Sequence, residues 1–206
     1  MKKQWLARSG TADLILIFGG WALGPAPFQQ LSSEHDQLFV DDYIRLDDPL
    51  DETSDYDRVT LVSFSFGVVS AAHWVNDFNV RPTRLVAVGG TLYPADPRWG
   101  IAPEMIRATA DNLTEASFSK FCRRAGLDVP ARKLDVPKAR AELNAVIARG
   151  PARALSFDRI WIPQHDRIIP TSAQEAAWKD QASVVRGVDA PHVPFRKGQN
   201  WTEWCS

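Results

Sequence analysis

The sequence has few of the residues on which disulfide frameworks, metal centres or membrane spans depend. It contains two cysteines, Cys122 and Cys205, which lie far apart and lack the spacing of a zinc site. No apolar run reaches the length that crosses a bilayer. The formal net charge is -1, which does not favour binding to nucleic acid or another polyanion. We therefore expect a reduced, cytoplasmic protein with no metal or other cofactor, no nucleic-acid partner and no membrane partner.

Length and composition fit one globular domain. The chain has 206 residues, of which 45% are hydrophobic and 24% charged, and a chain of this size can bury a core. The apolar stretch Leu14–Leu23 follows two lysines, as in a signal peptide, but it is short, contains two glycines and is preceded by Asp13. We interpret it as part of the fold.

Short apolar runs bounded by turn residues predict buried strands, and segments with helical spacing lie between them. Strands that alternate with helices predict a mainly parallel sheet with helices on both faces. The predicted strands are Leu14–Phe18, Val59–Phe64, Arg84–Val88, Arg159–Pro163 and Ser183–Val188, and the clearest helices are Phe66–Phe78 and Thr171–Gln181.

The segment 94–154 departs from this alternation. It contains no strand-like run, and Asn112–Arg124 and Pro137–Arg149 have the pattern of amphipathic helices. A crossover between parallel strands needs about a dozen residues, and this segment is far longer. We predict a helical lid inserted in a single domain, with the ordinary helices of a crossover as the alternative.

The most specific local pattern is Ser63-Phe64-Ser65-Phe66-Gly67, which places a hydroxyl between a strand-like run and a helix. In a nucleophile elbow, a tight strand-to-helix turn lifts a serine out of the sheet and leaves it at a helix N-terminus. Ser65 is therefore a candidate nucleophile. Ser63 stands where the usual pattern has glycine, and the pentapeptide alone fits a helix-capping serine equally well.

Acyl transfer to a serine also needs N–H donors for the oxyanion that forms during attack. In such a fold one donor follows the nucleophile and the other follows an early strand, so the backbone N–H groups of Phe66 and Trp21 are candidates. Gly19 and Gly20 precede Trp21 and let a ligand approach the backbone closely, which makes Gly20 a candidate substrate-binding residue. A glycine turn with a core tryptophan is the alternative.

A serine nucleophile needs a base, and the base needs a group that holds its tautomer. Among four histidines, His192 lies in a proline-flanked loop after the last predicted strand and is the candidate base. His73 would lie about two turns into the helix that follows the serine. His35 precedes the serine, against the expected order, and His165 adjoins the candidate acid, from which an extended neighbour points away. A surface histidine without function is the alternative.

Asp166 is the candidate acid. It follows a predicted strand, and the site of an α/β sheet lies at the carboxyl ends of its strands. The order Ser65, Asp166, His192 is that of an α/β-hydrolase fold, which is the fold class we predict. Alternatively, Asp166 caps a helix or pairs with Arg167.

Several segments together resemble one family over most of the chain, the short BioG type of pimeloyl-[acyl-carrier protein] methyl ester esterase. The resemblance implies an α/β-hydrolase that cleaves the methyl ester of pimeloyl-acyl carrier protein and ends the chain-building stage of biotin synthesis. It implies the roles given above for Ser65, Asp166, His192, Trp21 and Phe66. The segments are Phe18-Gly19-Gly20-Trp21, Phe64-Ser65-Phe66-Gly67, Gly89-Gly90-Thr91 through Trp99-Gly100-Ile101-Ala102-Pro103, and the loop of His192. Two positions depart from the pattern. Ser63 stands where the usual motif has glycine, and Gly89 stands where the family has asparagine.

The cations of the predicted lid fit an acidic carrier protein that delivers an acyl chain on a phosphopantetheine arm. A solvated helix face is an equally good interpretation of any single one. Trp99 and Phe121 are expected either to line the acyl channel or to join the lid to the sheet. The candidate docking residues are Arg107, Arg123, Arg124, Arg132, Lys133, Lys138 and Arg140.

The sequence therefore predicts a serine esterase acting on a carrier-bound pimeloyl methyl ester. Two alternatives are a carboxylesterase or thioesterase that needs no carrier protein, and a hydrolase-like binding module without turnover.

Overall fold

One sheet organises the structure, a computed structural model that describes residues 1–128 and 133–206. In this part of the chain its strands are β1 (Lys2–Ala7), β2 (Asp13–Phe18), β3 (Asp36–Asp41), β4 (Arg58–Phe64), β5 (Arg84–Val88), β6 (Arg159–Pro163) and β7 (Val185–Val188). The strand order is β1-β3-β2-β4-β5-β6-β7. Only β1 and β3 pair antiparallel. The prediction of a mainly parallel sheet is confirmed.

The described helices are mostly short, and the connections between strands contain long irregular stretches. Helix α2 begins and ends at the residues that the sequence predicts. None of the helices in the described ranges combines the length and apolar content needed to span a bilayer. The helices are α1 (Ala26–Gln29), α2 (Phe66–Phe78), α3 (Pro103–Asp111), α4 (Glu115–Ala125), α5 (Val136–Arg149), α6 (Thr171–Ala177) and α7 (Trp201–Cys205).

The centre of the sheet consists of continuous apolar runs. The five residues Leu14–Phe18 of β2 are all buried, and Leu16 pairs with Leu38 of β3 on one side and with Leu61 of β4 on the other. Central parallel strands are covered on both faces, so their sequences do not alternate. Burial of one such side chain stabilises the fold by roughly 1.5–3 kcal/mol, which fixes β2 in the interior.

Two strands lie outside the predicted runs, and one prediction is partly wrong. β1 is an edge strand whose first three residues are exposed, and β3 carries a carboxylate at each end. Pairing with neighbouring strands, rather than a local apolar pattern, determines both: β1 pairs with β3, and β3 pairs with β2 as well. Within the predicted strand Ser183–Val188, the residues up to Val184 belong to a 3₁₀ helix, Lys179–Val184, and β7 begins at Val185.

The segment 94–154, called here the helical insertion, contains α3, α4 and α5 between β5 and β6. The sequence predicts α4 and α5 but not α3. A capping box starts α4, because Thr114 Oγ1 accepts a hydrogen bond from the Ser117 backbone N–H and Ser117 Oγ accepts one from the Thr114 N–H. Gly126 ends this helix in the left-handed conformation, with φ 95°.

Candidate active site

Ser65 occupies a strained turn between β4 and α2. Its backbone has φ 57° and ψ -126°, a conformation that a residue with a Cβ atom rarely adopts. The Ser65 N–H donates a hydrogen bond of 3.0 Å to the carbonyl of Val88. A Cβ atom at Gly67 would lie 2.3 Å from the Phe18 carbonyl oxygen, and one at Gly90 would lie 2.4 Å from that of Ser65. Glycine is therefore required at both positions for the turn to form.

The two departures from the family pattern are compatible with this geometry. Ser63 is fully buried on β4 and its hydroxyl donates to the Val86 carbonyl at 2.9 Å, so the extra polar group has a partner. Gly89 has φ 55°, a left-handed conformation that asparagine adopts more readily than most other residues. Glycine can therefore replace asparagine there without a change of backbone.

The structure brings Ser65, His192 and Asp166 together. Ser65 Oγ lies 2.9 Å from His192 Nε2, and His192 Nδ1 lies 2.7 Å from Asp166 Oδ2. An ionised carboxylate only accepts hydrogen bonds, so Nδ1 carries the proton and Nε2 accepts from the serine hydroxyl. All three residues are buried, and the ring of His192 is fully enclosed. This is the arrangement that a serine nucleophile and its base require.

Asp166 also caps the turn in which it lies. Its Oδ1 accepts from the backbone N–H groups of Ile168 at 2.8 Å and Ile169 at 2.9 Å. Its Oδ2 accepts from Gln174 Nε2 at 2.8 Å as well as from His192. The capping alternative is therefore present together with the contact to histidine, whereas no ion pair with Arg167 occurs within the described ranges.

The other histidines contact groups away from Ser65. His73 Nε2 lies 3.1 Å from the Gly150 carbonyl oxygen. The ring of His35 lies 3.7 Å from Asp13, and that of His165 lies 2.7 Å from Asp189. His192 is thus the histidine that the fold brings to the serine.

Two residues with free backbone N–H groups line the same cavity as Ser65. Within the described part of the chain, neither Trp21 N–H nor Phe66 N–H has a hydrogen-bond partner, and both residues line the cavity with the serine. Trp21 is fixed by its indole, which packs edge-on against Phe118 and Phe121. Unpaired N–H groups beside a nucleophile can stabilise an oxyanion.

The cavity above Ser65 is mainly apolar and is covered by the helical insertion. Phe121 lines it and also packs on Trp21, so both of its expected positions apply, whereas Trp99 packs on Tyr93 with ring centroids 4.8 Å apart and does not border the cavity. Gly20 does not border it either, and a Cβ atom at this position would lie 2.8 Å from the ring of Phe64. The sequence interpretation missed most of the wall, since a residue of an amphipathic helix or of a loop looks the same in the sequence whether it faces a cavity or a core. These missed residues are Ile101, Met105, Ile106, Thr109, Leu143 and Ile168.

The cations of the insertion have different surroundings. Arg107, Arg123, Arg124 and Lys133 are exposed, and Arg124 lines both the cavity of Ser65 and a groove between α3 and α4.

Two further cations are held by neighbours. Lys138 Nζ lies 2.7 Å from Asp42, and Arg140 Nε donates to the Ala110 carbonyl at 2.8 Å, which ties α5 to the end of α3. Arg132 lies outside the described residues.

The cysteine thiols are unsuited to compete with Ser65 as nucleophiles. Burial raises the pKa of Cys122 and of Cys205 to about 11, so both remain protonated at neutral pH. Among the described residues, no group of three or more His, Cys, Asp or Glu side chains could hold a metal ion.

Comparison with solved structures identifies the fold. The crystal structure of BioG from Haemophilus influenzae superposes with a TM-score of 0.88 at 28% identity, over 100% of both chains. MGS-M2, an α/β-hydrolase enzyme from a deep-sea metagenome library of the Medee basin, gives a TM-score of 0.61 at 14% identity, over 93% of this chain and 86% of its own. The predicted α/β-hydrolase fold is confirmed.

Comparison of sequences gives the family. A malonyl-[acyl-carrier protein] O-methyltransferase of Bacteroides fragilis is 28% identical over 193 residues, which are 87% of this chain but 39% of that protein. The chain thus spans well under half the length of that relative. The family model described as pimeloyl-ACP methyl esterase BioG matches residues 1–205. The chain therefore belongs to the BioG family of pimeloyl-ACP methyl esterases, as the resemblance of its motifs predicts.

Proposed function

We propose that the chain is a serine esterase that hydrolyses the methyl ester of pimeloyl-acyl carrier protein. The observation that carries this proposal is the buried chain of hydrogen bonds from Ser65 through His192 to Asp166, which opens on an apolar cavity. Membership in the BioG family supports the choice of substrate.

In the first half of the reaction, His192 Nε2 takes the proton of Ser65 Oγ as the oxygen attacks the ester carbonyl carbon. The carbonyl oxygen becomes an oxyanion and accepts hydrogen bonds from the Trp21 and Phe66 N–H groups. The intermediate then collapses. The bond to the methoxy oxygen breaks, His192 returns the proton to this oxygen, and methanol leaves an acyl-enzyme on Ser65.

In the second half, water replaces the serine as nucleophile. His192 takes a proton from the water, whose oxygen attacks the acyl carbon, and a second tetrahedral intermediate forms. When this intermediate collapses, the bond to Ser65 Oγ breaks, His192 gives its proton to this oxygen, and the product leaves as a carboxylic acid that loses its own proton to solvent. Asp166 stabilises the imidazolium of His192 in both halves.

The walls of the cavity suit an aliphatic chain. Ile106 of α3, Phe121 of α4 and Leu143 of α5 all border it, so the three helices together cover the nucleophile. Methylene groups that leave water for such surroundings gain roughly 0.8 kcal/mol each. We infer that the helical insertion acts as the lid of the site and encloses the acyl chain.

The outer surface of the insertion suits an acidic carrier protein. Arg123 and Arg124 are exposed in the last turn of α4, and Arg124 also borders the groove between α3 and α4. We infer that the phosphopantetheine arm enters beside Arg124, with Arg107 and Lys133 as further docking cations. Arg140 is a weaker candidate because its guanidinium bonds the end of α3. Both cysteines are unpaired, which supports the cytoplasm as the place of action.

Substitution of the nucleophile tests the proposal. Ser65→Ala should abolish hydrolysis of a short p-nitrophenyl ester and labelling by a fluorophosphonate probe, while circular dichroism stays unchanged. Ser70→Ala is the matched control, because Ser70 lies on α2 and its buried hydroxyl has no partner among the described residues. Retention of activity in Ser65→Ala would exclude this nucleophile.

Carrier-bound substrates then test the specificity. Wild-type protein should hydrolyse the carrier-bound methyl ester with a higher kcat/KM than the free methyl ester, and should leave the carrier thioester intact. Equal rates on the bound and free esters, or cleavage of the thioester, would favour an esterase or thioesterase of general specificity.

A further inference from the structure

Gln174 is a buried amide on α6 that contacts the carboxyl group of Asp166. Its Nε2 lies 2.8 Å from Asp166 Oδ2 and 2.8 Å from the carbonyl oxygen of Ile169. Both oxygens only accept hydrogen bonds while Asp166 is ionised, so the NH₂ group must face them, and this fixes the orientation of the amide. One amide group thus ties the carboxylate to the loop that carries it.

The contact is made to the oxygen that faces the histidine. Asp166 Oδ1 is held by two backbone N–H groups of its own loop, whereas Oδ2 accepts from His192 Nδ1 and Gln174 Nε2. Without Gln174, His192 would be the only partner of Oδ2 within the described ranges. Gln174 therefore contributes the one contact from a separate helix that fixes Oδ2 independently of the histidine.

The amide is unfavourable for the fold in one respect. Gln174 is fully buried, and its Oε1 has no hydrogen-bond partner among the described residues. A methionine of similar volume would leave no amide oxygen unpaired in this position, and an unpaired buried oxygen opposes folding. The gain of glutamine over an apolar side chain is thus its N–H donor, which is directed at Asp166.

We propose that Gln174 is a positioning residue of the active site, which holds Asp166 Oδ2 toward His192 Nδ1. This inference rests on the proposed function. Among the described residues, His192 is the one titratable side chain in contact with Asp166. Arg167 is exposed. His165, beside Asp166, and Asp189, in the loop that carries His192, pair with each other and are exposed as well.

Two apolar variants test the proposal on a short p-nitrophenyl ester. Gln174→Met removes the donor and should lower kcat about tenfold, with KM changed less than about twofold. The acid limb of kcat/KM against pH should move to higher pH, because a carboxylate with fewer donors stabilises the charged imidazole more strongly. Gln174→Leu removes the same donor with a branched side chain and should move this limb in the same direction.

Gln181→Met is the matched control, because Gln181 also makes two side-chain hydrogen bonds, both partly buried, but does not contact Asp166. Its Oε1 accepts from the Phe157 N–H and its Nε2 donates to the Leu155 carbonyl, each at 2.8 Å. This variant should lower the melting temperature while kcat and the acid limb stay at wild-type values.

A Gln174→Met variant with the wild-type kcat and acid limb would overturn the proposal, whatever its stability. If that variant does not fold, an unchanged kcat and acid limb in Gln174→Leu would overturn it. The proposed function fails separately, if Ser65→Ala remains active. An inactive Ser65→Ala with an unaffected Gln174→Met would refute the positioning role alone.

Discussion

The indole N–H of Trp21 donates a 2.8 Å hydrogen bond to the carbonyl oxygen of Ala139. This bond joins the glycine turn after β2 to helix α5, so a residue that lines the cavity of Ser65 is held by the helical insertion. Because Trp21 also packs on Phe118 and Phe121 of α4, the position of the candidate oxyanion donor depends on helices α4 and α5 of the insertion.

Trp21→Phe should therefore impair catalysis as well as stability. The smaller ring keeps part of the packing but loses the bond to Ala139, so we expect the free energy of unfolding to fall by about 1–3 kcal/mol. We expect kcat to fall about tenfold, less than when a donor is deleted outright, since the N–H is displaced rather than removed. Urea unfolding and ester hydrolysis measure the two effects.

Trp74→Phe is the control for this substitution. Trp74 is fully buried, donates from Nε1 to the Asp48 carbonyl at 2.9 Å and does not border the cavity. It should lose similar stability and keep its kcat. Equal losses of kcat in both variants would show that general loosening of the fold, rather than the bond to Ala139, controls the site.

The sequence predicts the central strands and the candidate triad because these features have local signatures. β2, β4 and β5 are continuous apolar runs, and Ser65 lies at the junction of a strand and a helix. By contrast, β3 begins with Asp36, whose carboxylate is buried and is held by residues that are far away in the chain. A local pattern cannot reveal these partners, which explains why β3 lies outside the predicted strands.

Gln174 and most of the cavity wall also lack a local signature in the sequence, so the sequence does not predict them. Gln174 follows Asp166 by eight positions, and no periodicity connects an amide on a short helix to a carboxylate in the preceding loop. Met105 is exposed on α3 and also borders the cavity, which depends on how α3 lies over Ser65. Contacts of this kind arise from tertiary packing and are visible only when the helices are placed.

Asp36 should make the stability of the protein depend on acid pH. Burial alone would raise the pKa of Asp36, but hydrogen bonds from Ser9, Tyr56 and Gly10 outweigh burial and hold this pKa below its ordinary value. A carboxyl group whose pKa is lower in the folded state stabilises the fold above the unfolded-state pKa, which is about 4. This contribution is lost as the pH falls from about 4 through the folded-state pKa.

Urea unfolding at a series of pH values measures this dependence. The free energy of unfolding of wild-type protein should decrease more steeply below about pH 4 than that of Asp36→Asn, which has no titrating group at this position. Tyr56→Phe removes the 2.8 Å bond from the phenol and should give an intermediate slope. Parallel curves for wild-type protein and Asp36→Asn would contradict the role assigned to these hydrogen bonds.

Charge reversal on α4 should separate docking of the carrier from the chemistry of ester cleavage. Arg123 is exposed and borders neither the cavity of Ser65 nor the groove between α3 and α4. Arg123→Glu should lower kcat/KM for the carrier-bound methyl ester about tenfold and weaken its dependence on salt, because attraction between the two proteins is screened by ions. The rate on a short free ester should stay unchanged.

Arg124→Glu should affect both substrates, since Arg124 borders the cavity as well as the groove, but the carrier-bound ester should lose more. Arg81→Glu makes the same change of charge in the turn before β5, at the end of the sheet opposite to Ser65, and should leave both rates at wild-type values. Steady-state rates on the two esters at low and high salt give the comparison. If Arg123→Glu reduces both rates equally, or if Arg81→Glu reduces the carrier-bound rate as much as Arg123→Glu, the carrier protein does not dock on α4.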